Sequence, residues 1–352
     1  MSQKNETTVL VLAALITLTL AGGFFWWLTQ GMRIDGKSST PQATRQQANT
    51  RNNSTSQSYA ESLGQVSDVP AGLFSYGGST TWAPIRAQVD PLIETVWPQF
   101  QLRYTQHATK PPGSGTGIAM LLDNQLAFAQ SSRSLKDTEY QQAEQRGFSL
   151  REIPVAIDGI AVAVNPALEI SGLTVTQLQQ IYTGEIVNWS ELGGPNVPII
   201  PYSRRPEDSG TIEFFVENVM GGKEFGSNIE FIPTTTQALR RVSQNLGGIY
   251  YASAPEVVDQ CSIRPLPIGR RPNEWVPPYQ EPLVPPQDCP ARRNQLNGTA
   301  FQSGDYPITR RLFVIVKENN QIDEQAGNAY AELLLTDQGQ ELIEKTGFVR
   351  IR

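Results

Sequence analysis

Three stretches far apart in the chain combine glycine with hydroxyl side chains: Gly77-Gly78-Ser79-Thr80-Thr81, Gly113-Ser114-Gly115-Thr116-Gly117 and Asp208-Ser209-Gly210-Thr211. Each precedes a run that reads as a helix, so each is expected to be a loop that feeds a helix N-terminus. Such an end carries backbone N–H groups without intrahelical partners and a partial positive charge, which together suit an anion. Glycine lets the backbone approach closely, and the Ser and Thr hydroxyls add donors without bulk. A single loop of this kind is an ordinary turn as often as a site. Three of them, with Arg205 just before the third, point to a dry cage for a tetrahedral oxyanion. An arginine can give paired N–H bonds to two oxygens of such a group. The plain alternative is a surface Arg205 paired with Glu207 or Asp208.

The elements that must carry these loops read as α/β. Leu73–Tyr76 is predicted as a strand, 83–97 as a helix, and 100–105 as a strand leading to the second loop. Residues 118–124 read as helix and 126–129 as a short buried strand. Ile153–Asn165 is the longest β-like run, long enough to cross between two lobes. Residues 176–183 read as helix, 199–203 as a strand entering the third loop, and 212–219 as an amphipathic helix. Gly247–Tyr251 is expected to be a second extended crossing. The chain closes with a strand at 311–316 and helices at 325–335 and 338–346. Strands interleaved with helices indicate parallel-sheet units.

Composition removes several functional classes. The 352 residues carry a formal net charge of -6 and no Lys/Arg run, which argues against nucleic-acid binding. His107 is the only histidine, so neither a His-based catalytic triad nor a multi-His metal site is expected, and no cofactor is implied. Cys261 and Cys289 lack CxxC spacing and share a Pro-rich segment; a loop-closing disulfide is the first reading, and two unrelated thiols the other. Val9–Thr29 holds no charge and ends near Phe24-Phe25-Trp26-Trp27. Its length, about 20 residues, matches a bilayer span, and the aromatic cluster suits an interface. Residues 1–31 are therefore expected to be an uncleaved transmembrane anchor. Residues 32–71, rich in Ser, Thr, Gln, Asn and Ala over most of their length, are expected to be a disordered tether.

From Gly72 onward the chain resembles the phosphate-binding proteins of the substrate-binding class that serve ABC importers. The resemblance rests on Gly78-Ser79-Thr80-Thr81, the Gly113-Ser114 loop, Phe128-Ala129-Gln130-Ser131-Ser132-Arg133 and Ile157-Asp158-Gly159-Ile160-Ala161-Val162. It continues in Leu178–Trp189, Arg205-Pro206-Glu207-Asp208-Ser209-Gly210-Thr211, Tyr330–Leu335 and Gly339–Val349, with a gap near 270–302. It implies a type II periplasmic-binding-protein-like fold: two α/β lobes, joined by two crossover strands, that close on phosphate like a hinge. Lobe I is expected over 72–155 and 252–352, and lobe II over 156–251. The implied ligand set is Ser79, Thr80, Thr81, Ser114, Arg205, Ser209, Gly210 and Thr211. The implied role is non-enzymatic: a monomer on the extracytoplasmic side of the membrane captures inorganic phosphate and hands it to an importer permease.

One position departs from the pattern. Where some members of that family place an aspartate that accepts the phosphate proton, this chain has Ser132, followed by Arg133. A carboxylate there rejects sulfate, which has no proton to donate at neutral pH; a serine repels a fully ionised anion less. Asp158 is then a candidate replacement acceptor, and Arg133 a candidate added charge. The alternatives are a general binder of sulfate or molybdate and a tethered phosphate-sensing receptor. An anchored serine hydrolase is the remaining one, disfavoured because no Gly-x-Ser-x-Gly elbow occurs.

Overall fold

The computed structural model describes residues 60–205 and 210–351. The expected anchor, most of the expected tether, and Ser209 lie outside the described residues. The last part of the expected tether does not behave as one. Leu63 and Val66 are buried in the core of the first lobe, and the Leu63 carbonyl accepts the Trp97 indole N–H at 2.9 Å. Large apolar side chains return to the sequence at Leu63, and their burial offsets the entropy of ordering.

Lobe I opens with β1 (Gly72–Gly78), α1 (Ala83–Val96) and β2 (Phe100–Tyr104). Next come α2 (Ser114–Leu122), β3 (Phe128–Ser131) and α3 (Asp137–Gln145). The long strand β4 (Ser149–Val164) carries the chain out of it. Lobe II holds β5 (Leu173–Thr174), α4 (Val175–Thr183), β6 (Ile200–Ser203) and α5 (Gly210–Asn218). It continues with β7 (Glu230–Phe231), α6 (Thr235–Gln244), β8 (Gly248–Ser253), α7 (Ala254–Val257), β9 (Arg264–Leu266), β10 (Ile268–Gly269) and α8 (Gly298–Ser303). The chain returns to lobe I through β11 (Thr309–Glu318) and ends in α9 (Ile322–Leu335) and α10 (Asp337–Lys345).

Nine strands follow one path, β2-β1-β3-β11-β4-β8-β6-β7, with β9 also on β4, while β5 and β10 pair parallel as a separate two-stranded sheet. β4 belongs to both lobes: residues 149–159 pair antiparallel with β11, and 160–164 pair with β8 and β9. The lobe I sheet is covered on one side by α1, α9 and α10, where Ile85, Val89, Leu334 and Ile343 are buried. On its other side α2 and α3 bury Ile118, Leu121 and Ala143. Apolar burial on both faces explains the near-continuous apolar run Leu312–Val316 in β11. Lobe II has its own core around Trp189, Tyr182, Phe215 and Tyr251. α4 is capped at both ends, by Thr174 accepting from the Gln177 amide and by Gly184 at φ 81.

Two expectations need correction. Gly247–Tyr251 is not a crossing strand; β8 lies wholly in lobe II, because its buried face packs there and its partners are residues 160–164 of β4. The return crossing comes later, where Ile308 accepts the Ile160 amide and the chain enters β11. Hence 252–352 is divided between the lobes, with Arg264–Leu266 paired to the lobe II half of β4. The 270–302 segment is stitched down by the Cys261–Cys289 disulfide, whose Cα atoms are 5.7 Å apart. Further ties are the Tyr279↔Leu296 bridge and the Arg270 bonds to the carbonyls of Gly304 and Asp305.

Candidate functional site

The first loop is shaped by the end of β1. Gly78 has φ +123, and an added Cβ would lie 2.2 Å from the Gln130 carbonyl, so only glycine fits. The Ser79 amide then bonds that same carbonyl at 2.8 Å. Ser79 Oγ accepts from the Thr81 amide at 3.3 Å and donates to Ser132 Oγ at 3.0 Å. Arg86, one helical turn into α1, holds the loop from behind by donating to the Ser79 carbonyl (3.1 Å) and to Gln130 Oε1 (2.7 Å).

The second loop ends at Gly113, and Ser114 is the first residue of α2. Ser114 Oγ accepts the Ser132 amide at 3.1 Å and lies 3.1 Å from Ser132 Oγ. α2 reaches this position because Gly117 packs on β1; a Cβ there would be 2.4 Å from Gly78 Cα. Ser79, Ser114 and Ser132 are all fully buried, so three hydroxyls form one cluster with Ser132 at its centre. The third loop meets it across the cleft. A Cβ on Gly210, at the start of α5, would come within 2.6 Å of Ser132 Oγ and 2.8 Å of Ser114 Oγ. Thr211 Oγ1 lies 3.4 Å from Thr81 Oγ1. Side chains from three helix N-termini, on both lobes, therefore converge on one point.

Beneath them is a cation that the sequence reading missed. Arg310 sits at the start of β11 opposite Asp158 of β4, so the two lie side by side on the strands that cross between the lobes. Their side chains are 1% and 0% exposed. Arg310 Nε and Nη2 donate to Asp158 Oδ2 at 2.9 and 2.8 Å, while Ser253 donates to Oδ1 at 2.6 Å. Burial pushes the Asp158 carboxyl up, and the Arg310 charge with the Ser253 and Ala254 bonds pulls against it. The guanidinium also reaches upward. Nη2 donates to Thr81 Oγ1 at 3.1 Å and to Thr211 Oγ1 at 2.9 Å, and Nη1 to the Gly210 carbonyl at 3.3 Å. Both threonine hydroxyls accept from this guanidinium, which holds Thr81 and Thr211 in place at the cleft. The available signal was weak: Arg310 falls on the inward alternation of β11, in register with Leu312 and Val314.

The remaining expected residues are placed as follows. Thr80 lines, with Thr81, Thr211, Arg204, Thr235 and Tyr250, a cleft of about 260 Å3 between the lobes. Asp158 is in the site but both its oxygens are occupied by Ser253 and Arg310. Arg133 is buried, yet its guanidinium is turned to carboxylates, Glu139 at 2.8 Å and Glu213 at 3.1 Å. Arg205 is exposed, its guanidinium 5.7 Å from the Phe231 ring centre. Ser209 lies outside the described residues. Among the described residues, no cluster of His, Cys, Asp and Glu could hold a metal, and no helix is long and apolar enough to cross a membrane.

Residues 40–338 match the model of a family described as the PBP superfamily domain. Among curated proteins, the chain is similar to the phosphate-binding protein PstS of Pseudomonas aeruginosa, 26% identical over 296 residues, covering 79% of this chain and 83% of that one. It is also similar to PstS of Staphylococcus haemolyticus, 27% identical over 282 residues, covering 77% and 79%. Among solved structures, a putative phosphate ABC transporter substrate-binding protein with bound phosphate from Clostridium perfringens shares the fold. The TM-score is 0.62 at 24% identity, over 80% of this chain and all of that one. An ABC-type phosphate transport receptor from Vibrio cholerae superposes with a TM-score of 0.61 at 22% identity, over 79% and 100%.

Proposed function

This chain belongs to the PBP superfamily, and on that premise we propose that it captures inorganic phosphate between its two lobes and delivers it to an ABC importer. The observation that carries the reading is the convergence of Ser79, Ser114 and Ser132 with Gly210 and Thr211, above a buried Arg310. Thr80 and Thr81 complete the proposed ligand set. Neutral donors from helix ends, with one balanced cation behind them, suit a small multivalent anion. Several charge-assisted bonds at about 1.5–3 kcal/mol each exceed the roughly 8 kcal/mol of a micromolar site. The surplus offsets anion desolvation and closure. The relatives named phosphate-binding protein PstS support the choice of ligand.

The test is retention of labelled phosphate in equilibrium dialysis by the full-length chain and by Gly210→Val. A Cβ at 210 meets two serine oxygens, so the variant is expected to lose retention while its helical circular dichroism persists. Equal retention by both proteins would contradict the reading. Deleting the gene and comparing phosphate uptake with starvation signalling separates delivery from a tethered sensing role.

A second reading, a general oxyanion binder, is favoured by Ser132. The hydroxyl cluster holds no carboxylate, and Asp158 is engaged by Arg310. Nothing among the described residues of the cluster penalises a fully ionised sulfate by charge.

We further propose that residues 1–31 anchor the protein and that the binding lobes lie on the extracytoplasmic side. The uncharged run from Val9 to Thr29 supports the first. The Cys261–Cys289 disulfide supports the second, since such bonds persist in oxidising compartments.

A further inference from the structure

A line of four charged side chains spans the cleft beside the hydroxyl cluster. From lobe I come Arg133, just after β3, and Lys136, just before α3; from lobe II come Glu213 and Glu217 of α5. Arg133 is clamped within its own lobe by Glu139, which accepts from Nη1 at 2.9 Å and Nη2 at 2.8 Å. That grip leaves Nε 3.1 Å from Glu213 of the other lobe, an ion pair without hydrogen-bond alignment. Lys136 Nζ lies 2.9 Å from the same Glu213 oxygen and 2.7 Å from Glu217. The Arg133 side chain is only 4% exposed and Glu213 26%, whereas Lys136 and Glu217 are 43% and 40% exposed. Arg133–Glu213 is thus the more buried and less screened member, and Lys136–Glu217, open to water, the more screened one.

We propose that these residues form an ionic latch, closed only when the lobes close, that sets how slowly the bound anion leaves. The proposal rests on the phosphate-binding reading for its ligand, but its geometry is independent of it. Glu213 is one helical turn below Gly210, the residue of α5 that abuts Ser114 and Ser132. A Cβ on Gly115 would lie 3.5 Å from Arg133 Nη2 and 4.0 Å from Glu213 Oε1, so the latch covers the first turn of α2. The same lobe movement therefore seats the anion and brings Arg133 to Glu213. Any free energy that favours the closed lobes adds to apparent affinity, because the anion is caged only there. Burial alone would raise the Glu213 carboxyl, yet the Arg133 charge and the Lys136 bond hold it below its ordinary value. Glu213 therefore stays ionised across neutral pH. Arg133, although next to Ser132, acts by positioning the lobes rather than by touching the anion.

The test compares the full-length chain with Glu213→Gln, with Glu213→Gln/Glu217→Gln, and with the charge exchange Lys136→Glu/Glu217→Lys. Release of labelled phosphate is followed after adding excess unlabelled phosphate. Glu213→Gln should release roughly tenfold faster or more, with association changed by less than about threefold, as for loss of a close charge pair across an interface. Raising salt should speed release from the native chain and leave the double variant nearly unaffected. The charge exchange should release more slowly than Glu213→Gln. Release rates equal to the native one in both Gln variants would overturn the latch. If the native chain binds no phosphate, the functional reading fails and a second measurement judges the latch alone. Spin labels at Gln142→Cys and Lys223→Cys report the distance between lobes without ligand, the native cysteines being paired. A loss of the short-distance population in the double Gln variant supports the latch, and an unchanged distribution overturns it.

Discussion

Replacing Arg310 by methionine is the most informative perturbation of this molecule. Arg310 and Asp158 are 1% and 0% exposed and meet on the two crossing strands. Methionine removes the charge and leaves a carboxylate buried with only Ser253 and the Ala254 amide as partners. Breaking a buried pair from one side costs about 3–5 kcal/mol. For a domain of this size each kcal/mol shifts the midpoint by about 2–4 °C, so Tm should fall by about 6–20 °C in calorimetry at pH 7. The double variant Asp158→Leu/Arg310→Met should recover most of that loss, since an apolar pair replaces an ion pair at little cost. The single variant also has a pH signature. Without Arg310, burial leaves the Asp158 carboxyl raised in the folded state relative to the unfolded chain. Its stability is then greatest at acid pH and is lost as pH rises through the folded value. The deficit should accordingly narrow from pH 7 towards pH 5. A Tm within 2 °C of the native value (on the order of 1 kcal/mol), or a double variant no better than the single one, would refute the reasoning.

Ser132→Asp should raise phosphate-over-sulfate discrimination by roughly a hundredfold, about 3 kcal/mol of buried charge repulsion against an unprotonated anion; competition dialysis with both anions reads it, and unchanged selectivity would place Ser132 away from the ligand. Asp90 accepts from the hydroxyls of Tyr76 and Tyr330, and burial pushes its carboxyl up to about 6. The raised value means that the folded state holds the proton longer, so this contribution is present below about pH 4 and lost as pH rises through 6, about 3 kcal/mol in all. Asp90→Asn should flatten that part of the pH–stability curve measured in urea, and a slope equal to the native one would contradict the assignment. Arg205→Ala should change the phosphate Kd by less than about threefold, because the side chain is exposed over Phe231; a hundredfold loss would show that Arg205 swings into the cage.

Much of the candidate site's geometry was legible in the chain because its turns are local. A glycine beside hydroxyl residues ahead of a helix specifies an anion-facing turn within a few residues, and Ser79, Ser114 and Gly210 occupy such turns. The lobes were legible for a similar reason: helices and strands alternate with clear apolar periods, and β4 is long enough to serve both sheets. What failed depended on partners far away in sequence. Gly247–Tyr251 read as a crossing because it is an extended run, and the wholly buried β8 shows that any central strand has that look. Arg310 was passed over because, of the two adjacent arginines that open β11, nothing but the strand's alternation distinguishes it from the exposed Arg311; its pairing with Asp158, 152 residues away, makes it part of the site. Arg133 looked like an anion ligand because of its neighbour Ser132, but the carboxylates of Glu139 and Glu213 claim it.

The convergent loops are proposed to bind phosphate. Calorimetric titration of the full-length chain, freed of endogenous ligand, with phosphate at neutral pH tests it most directly. Tight one-to-one binding is expected, with sulfate competing for the same site because Ser132 brings no negative charge. No heat with phosphate would contradict it.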